Sequence, residues 1–397
     1  MRILAIETSC DETGVAFLEI SEKGERAEVR VLGNALLSQT SIHSLLGGVV
    51  PSLAKREHQN NLVPMLRLAL QESDNLTPQD PDYKEINAEK IKKLEKEFEL
   101  IFIHEFDLKD ILLEFLLTVK APKIDLITVT SGPGLEPALW VGINFAKALS
   151  VAWKIPIIPA NHMEGHILSS LLVEKNKNTL IFTKPEFPLL SLLISGGHTE
   201  LVLSNTFGSY EIIGKTRDDA IGEAFDKVAR MLGLPYPGGP GISKLAESAR
   251  AEKIESEFDL PRPMMHTDNL DFSFSGLKTS VLYTLKKIPV ITENIRVQIA
   301  LEFEDAVTDV LIAKTREALS QTGAKTFAVG GGVIANTHIR KALSELCENE
   351  FPHVSLHLPH MSLTTDNAVM IGITGYFTSK VKREAKDIKA EGNLRLT

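Results

Sequence analysis

The chain has 397 residues, 43% hydrophobic and 24% charged, enough apolar material for the cores of two or three domain-sized units. A formal net charge of −9 excludes a global basic field, so any RNA must be bound through a local patch or a partner. Two cysteines, Cys10 and Cys347, argue against a disulfide framework and for a reducing compartment.

The start, Met1 to Glu7, has too short an apolar run for a signal peptide, and Glu7, Asp11 and Glu12 argue against a transit peptide. No apolar run approaches the ~20 residues that span a bilayer. A cytoplasmic location without membrane association is therefore expected. Ile3 to Ile20 reads strand–turn–strand, with a polar turn between apolar runs. A surface helical insertion without catalytic role is expected between about 80 and 120. Its first helix shows Ile91, Leu94, Phe98 and Ile101 at helical spacing among Lys and Glu, and a second apolar block runs from Ile111 to Val119. Ile124 to Thr130 is a strand by its β-branched content, followed by the turn Ser131-Gly132-Pro133-Gly134 and a helix over Ala138 to Val151.

His162 and His166 stand four residues apart, on one face if the segment is helical. The pair is either two helix-surface histidines or part of a metal site. Met163 stands where the glutamate of a zinc-protease HExxH belongs, so a metalloprotease reading loses its general base and ranks third among the alternatives. Leu189 to Leu203 repeats the layout of the first hairpin around Ser195-Gly196-Gly197-His198-Thr199, which suggests a duplicated fold. In Arg217 to Lys227, read as opening a helix, Asp219, Glu223 and Asp226 share a face. Such acids are either a solvated face or acceptors for ribose hydroxyls. Pro237 to Gly241 and Gly330-Gly331-Gly332 are further glycine turns able to cradle phosphate, although no Walker GxxxxGK[ST] occurs. Thr326 to Val329, the glycines, and Asn336 to Leu346 repeat strand–turn–helix, as in an α/β architecture. Asp366 precedes an apolar helix starting at Ala368, where it can cap the helix, ligate a metal or do both. Lys380-Val381-Lys382-Arg383 is a short basic cluster, read as a solvated helix end.

Taken together, Ile6 to Thr13, Gly47 to Pro51, Ser131 to Gly134, His162 to His166, Ser195 to Thr199, Gly222 to Lys227, Tyr236 to Pro240, Phe272 to Lys278 and Thr365-Asp366-Asn367 resemble the tRNA threonylcarbamoyladenosine transferase family in its bacterial and organellar form. The resemblance covers nearly the whole chain apart from the insertion. It implies the α/β fold of the actin, sugar-kinase and heat-shock chaperone ATPase superfamily, two RNase-H-like lobes around a nucleotide cleft. The lobes would be residues 1–160, carrying the insertion, and 161–360, with 361–397 packing back on the first. It implies transfer of a threonylcarbamoyl group from threonylcarbamoyl-adenylate to an adenosine of tRNA, next to the anticodon, with release of AMP. His162, His166 and Asp366 would bind one divalent metal, iron or zinc. Leu193, Ile194, Ser195, Gly196, Gly197, Asp226, Gly239 and Asn336 would line the adenylate site, and Asp11 and Glu12 would handle protons or position substrate. Partners implied are an inert paralogue of the same fold and a P-loop ATPase.

The chain departs from the family in three places. Leu193 stands where archaeal and eukaryotic relatives have a tyrosine, Ser362-Leu363-Thr364-Thr365 precedes Asp366 where Cys-Thr-Asp-Asn is common, and the insertion has no counterpart in typical bacterial members. The competing readings are a small-molecule kinase and a nucleotide-dependent scaffold of the same fold class. In a kinase the paired histidines would have no obvious task.

Overall fold

β1 (Arg2–Glu7) is an apolar strand buried from Ile3 onward, because it runs between two neighbours at the centre of a sheet. In the computed structural model, which describes residues 1–380 and 388–396, the chain forms two compact units. The first comprises 1–41, 49–184 and the described part of 366–395. Its sheet contains β1, β2 (Glu12–Lys23), β3 (Arg26–Ser38), β4 (Leu126–Gly132), β5 (Ile157–Asn161), β6 (Leu172–Asn176) and β7 (Thr179–Thr183), in the order β5-β4-β1-β2-β3-β7-β6. β1, β2 and β3 pair antiparallel, whereas β1, β4 and β5 run parallel.

The second unit comprises 42–48, 185–365 and Leu396. Its sheet contains β8 (Leu189–Ile194), β9 (Thr199–Thr206), β10 (Ser209–Lys215), β11 (Thr326–Gly330) and β12 (Ser355–His357), in the order β10-β9-β8-β11-β12. β8, β9 and β10 are antiparallel; β8, β11 and β12 are parallel. The core of the first sheet, β3-β2-β1-β4-β5, therefore repeats strand for strand in the second. The expected duplication is a matter of topology as well as of hairpin layout.

The expected boundary at 160 moves to 184. The helix His162–Ser170 follows β5 without leaving the first unit, and β7 then pairs antiparallel with β3, widening the first sheet at its edge. The helix Ala368–Ser379 belongs to the same unit and packs on β1, β2, β4, β5 and the helix His162–Ser170. Glycines set that approach. A Cβ at Gly375 would lie 2.3 Å from the Thr128 hydroxyl, and one at Gly165 would lie 3.2 Å from the Met370 side chain.

The expected surface insertion is not confined to the surface. Helices Ala88–Ile101 and Phe106–Thr118 do carry an exposed charged face, but Phe98, Phe102, Leu108, Leu112 and Phe115 are buried in the core of the first unit. The alternation of Lys and Glu in the first helix concealed how deeply its single phenylalanine stripe inserts. The stem of the segment is closed: Gln79 N–H donates to the Thr118 carbonyl at 2.9 Å, and Lys120 N–H to the Thr77 carbonyl at 2.9 Å. Of the C-terminal basic cluster, Val381, Lys382 and Arg383 lie outside the described residues.

Candidate metal centre and glycine cradle

β5 ends at Asn161, whose side-chain oxygen accepts from the N–H groups of Met163 and Glu164 at 2.9 and 3.2 Å. That cap starts the helix His162–Ser170 and puts His162 in its first turn, with His166 one turn on. Both imidazoles are buried, and their centroids lie 4.8 Å apart at 87°. Asp366 arrives from two hundred residues away, just before the helix Ala368–Ser379. Its Oδ1 lies 3.3 Å from His162 Nε2 and 3.2 Å from His166 Nε2. The three donor atoms all fall within 4.8 Å of one another. Two ligands at right angles around an ion at ~2.1 Å would sit about 3 Å apart, so two nitrogens and a carboxylate oxygen at this spacing fit one divalent cation.

Asp366 does not cap its helix. Asn367 does, accepting from Met370 N–H at 3.0 Å. The neighbouring asparagine thus leaves the Asp366 carboxylate to the histidines.

A second layer holds the first, and residue-type reasoning missed it. Glu7 is completely buried, with Oε2 3.3 Å from His162 Nδ1 and accepting from the Thr130 hydroxyl at 2.6 Å. Its other oxygen accepts from Ser9 N–H, while the Ser9 hydroxyl lies 3.2 Å from His162 Nδ1. A carboxylate facing Nδ1 favours a proton there and turns the Nε2 lone pair towards Asp366, an arrangement common behind metal-bound histidines. The signal was present: an acid closing the apolar strand Ile3-Leu4-Ala5-Ile6 is buried, and a buried acid needs partners. His166 Nδ1 is buried without a partner among the described residues.

Burial opposes a charge on His162, but Asp366 and Glu7 outweigh it and raise its pKa well above the usual value. Burial likewise opposes ionisation of Asp366, and the two histidines hold its carboxyl well below the usual range. Asp11 and Glu12 sit at the tip between β1 and β2. Asp11 is buried, and the Glu12 side chain accepts from the Ser38 hydroxyl at 3.4 Å. Burial first, then the charges of Asp366, Asp11 and Glu7, push the Glu12 carboxyl up to about 9. In that field Glu12 keeps its proton at neutral pH, whereas a cation beside Asp366 would favour its ionised form.

In the second unit the turns Ser195-Gly196-Gly197 and Gly331-Gly332 follow the C-terminal ends of the parallel strands β8 and β11, the usual ligand end of an α/β sheet. Ser195 N–H donates to the His198 carbonyl at 2.9 Å, closing a tight turn around Gly196 and Gly197. A Cβ at Gly196, Gly197, Gly239 or Gly332 would meet nothing within 4 Å, so these backbones face open space. At Gly222, by contrast, a Cβ would lie 2.8 Å from the Ser195 carbonyl oxygen, which packs the helix Ile221–Met231 directly on the turn. That helix begins at Ile221, later than expected, and Asp219 lies before it, paired with Lys227 and Lys278 at 2.9 Å each.

Several expected ligand side chains have other duties. Leu193 and Ile194 are fully buried, backbone included, so they support the turn that follows them rather than face open space. Asp226 accepts from Gly238 N–H at 2.7 Å and thereby orders the Gly238–Gly239 turn. Asn336 caps the helix Thr337–Glu350 through Oδ1, 3.0 Å from Ile339 N–H, and its amide donates to Ser243 Oγ at 2.8 Å and Glu304 Oε1 at 2.6 Å. Both its amide hydrogens are committed. Gly196, Gly197 and Gly239 keep accessible backbone, whereas the Ser195 N–H and carbonyl are bonded to His198 and Gly222.

The family model described as "TsaD: tRNA N6-adenosine threonylcarbamoyltransferase" matches residues 30–83 and 108–373. The unmatched gap takes in the charged helix Ala88–Ile101, whereas the helix Phe106–Thr118 lies almost wholly inside the match. A protein of Polynucleobacter necessarius named tRNA N6-adenosine threonylcarbamoyltransferase is 40% identical over 411 residues, spanning 100% of this chain and 99% of its own length. A Chromobacterium violaceum protein of the same name is 39% identical over 97% of this chain and 95% of its own length. Among solved structures, full-length HypF in its phosphate- and nucleotide-bound form aligns with a TM-score of 0.47 at 12% identity, over 71% of this chain and 43% of that one.

Proposed function

Since this chain belongs to the tRNA N6-adenosine threonylcarbamoyltransferase family, we propose that it transfers the threonylcarbamoyl group of threonylcarbamoyl-adenylate to the exocyclic amine of an adenosine in tRNA. The adenosine is the one 3′ to the anticodon in tRNAs that read codons beginning with A. The amine nitrogen bonds to the carbamoyl carbon, the bond from that carbon to the phosphate oxygen breaks, AMP leaves, and the amine gives up one proton.

The observation that carries this reading is the convergence of His162, His166 and Asp366, backed by Glu7, in a member of that family. An adenosine amine is a poor nucleophile, its lone pair being delocalised into the purine, so the carbonyl must be activated and both substrates oriented. Bound by these three residues, iron, or alternatively zinc, would supply Lewis-acid polarisation and a template. Glu7 holds His162 in register, and Asp11 and Glu12 are the candidates for taking the amine proton or positioning substrate. Gly196, Gly197 and Gly239 offer backbone N–H groups to the AMP phosphate, while Ser195, its own N–H bonded to the His198 carbonyl, holds the first turn in shape. Asp226 contributes by ordering the Gly238–Gly239 turn, and Asn336 by tying its own helix to Ser243 and Glu304.

The protein would act in the cytoplasm with an inert paralogue of its own fold and a P-loop ATPase. No helix among the described residues is long and apolar enough to cross a membrane. The test is to incubate the metal-loaded protein and those partners with threonine, bicarbonate, ATP, the adenylate-forming synthase and unmodified tRNA. Mass analysis of the nucleosides should then show threonylcarbamoyladenosine. Its absence with folded, metal-loaded protein overturns the proposal.

A further inference from the structure

We propose that His58 is a positioning residue for this reaction, clamping both limbs of the turn that presents Asp11 and Glu12; the inference rests on the reading just given. His58 lies on the helix Pro51–Glu72 and is completely buried. Its Nε2 is 3.0 Å from the Cys10 carbonyl oxygen. A carbonyl oxygen only accepts, so Nε2 carries the hydrogen and Nδ1 the lone pair. The Thr13 hydroxyl, 2.8 Å away, donates to that lone pair.

Cys10 immediately precedes the two acids and Thr13 immediately follows them, so a single ring ties the chain on either side of the pair. Gln39, also buried, completes the clamp. Its backbone N–H donates to the Asp11 carbonyl at 2.8 Å, and its side-chain nitrogen lies 3.4 Å from His58 Nδ1. Backbone bonds alone suffice to reverse a chain between two strands. A buried imidazole matched at both nitrogens adds a fixed height and orientation for the residues between its two contacts. The helix carrying His58 also packs on β2 and β3, so the acids are referenced to the sheet rather than to a free turn. Placing a reacting group to a fraction of an ångström is where a distant side chain can govern rate.

The experiment compares the parent, His58→Ala and Thr13→Val in single-turnover transfer from threonylcarbamoyl-adenylate to unmodified tRNA, with whatever partner proteins the parent requires. His58→Ala should lower the transfer rate about ten- to hundredfold, leave KM for the adenylate within about twofold, and keep its metal. Added imidazole should restore part of the rate by occupying the vacated space. Thr13→Val has the parent's shape and should fold even if His58→Ala does not. It removes one of the two contacts and should show the same rate-only loss at smaller size. Parent rates in Thr13→Val, or a His58→Ala loss that comes with loss of metal and no imidazole rescue, overturn the inference. A folded, metal-loaded parent that transfers nothing overturns the functional reading instead.

Discussion

Asp366 and Asn367 are neighbours with separate tasks, and that separation makes a sharp experiment. Asn367 caps the helix, while Asp366 faces two histidines. Asp366→Asn should leave the helix intact and remove a charged donor, so metal retained after dialysis should fall well below one equivalent by elemental analysis. Full retention would remove Asp366 from the ligand set. Glu7→Gln keeps the shape behind His162 but not the charge, and loss of such an outer partner should weaken metal affinity about ten- to hundredfold. An unchanged affinity would make Glu7 merely a buried strand residue. The histidine itself sets a pH dependence. With its pKa raised by Asp366 and Glu7, His162 in the metal-free protein holds its proton to higher pH than an ordinary histidine, and a metal must displace that proton. Affinity should therefore rise with pH, roughly tenfold per unit until His162 deprotonates unaided. Calorimetry in buffers of differing ionisation enthalpy should show proton release on metal binding that persists to higher pH than an ordinary histidine would give; no release at any pH contradicts the assignment. The same shifts bound the stability of the metal-free form. The His162 contribution is fully present below its unfolded pKa near ~6.5 and is lost as pH rises through the raised value. The Asp366 contribution is present above ~3.9 and is lost as pH falls.

At the scale of elements, the hairpins and the glycine turns were legible because each has a local signature: apolar runs for β1, β2, β8 and β9, and glycines at the tips. The histidine pair was legible because its spacing matches a helical turn. Glu7, Thr130 and His58 were not, because the contacts that give them their place, Glu7 to Thr130 and His162 and His58 to Thr13 and Cys10, span 45 or more positions and no local pattern marks them. For the expected adenylate site the sequence was silent on orientation for a related reason. A family position says that a residue borders a site but not whether its side chain or its backbone does so, and Leu193, Ile194 and Asn336 are turned to packing or capping. The insertion shows the opposite error, a surface composition hiding core residues. Replacing Asp80 to Lys120 with a short linker would remove Phe98, Phe102, Leu108, Leu112 and Phe115 together. Phe115→Ala alone should cost about 3–5 kcal/mol, read by denaturant unfolding, so the full replacement should not give a folded first unit. A folded, metal-binding product would show that these aromatic and leucine side chains are dispensable.

For the whole molecule, duplication was inferable from two similar hairpins, but the boundary between units was not. The segment 161–184 looks from composition like the start of something new, yet β7 belongs to the first sheet because it pairs with β3, over 140 residues back. Fold class therefore followed from repeated local layout, whereas partition depended on long-range strand pairing, which composition does not encode. The partition also gives the metal ligands a temporal meaning. His162 and His166 precede the main body of the second unit, residues 185–365, and Asp366 is the first residue after it. A ribosome-bound chain that has emerged only as far as Lys184 possesses both imidazoles but lacks the carboxylate and the helix that packs beside them. If these three residues hold a metal, high-affinity capture would wait until the main body of the second unit, residues 185–365, has been synthesised. The coordinate bonds between the two ends would then act as a cross-link closing a loop of roughly two hundred residues, whose closure is entropically costly in the unfolded chain. The ion would thus seal a finished polypeptide, and a translation product truncated anywhere before Asp366 should be recognisable by its failure to hold it.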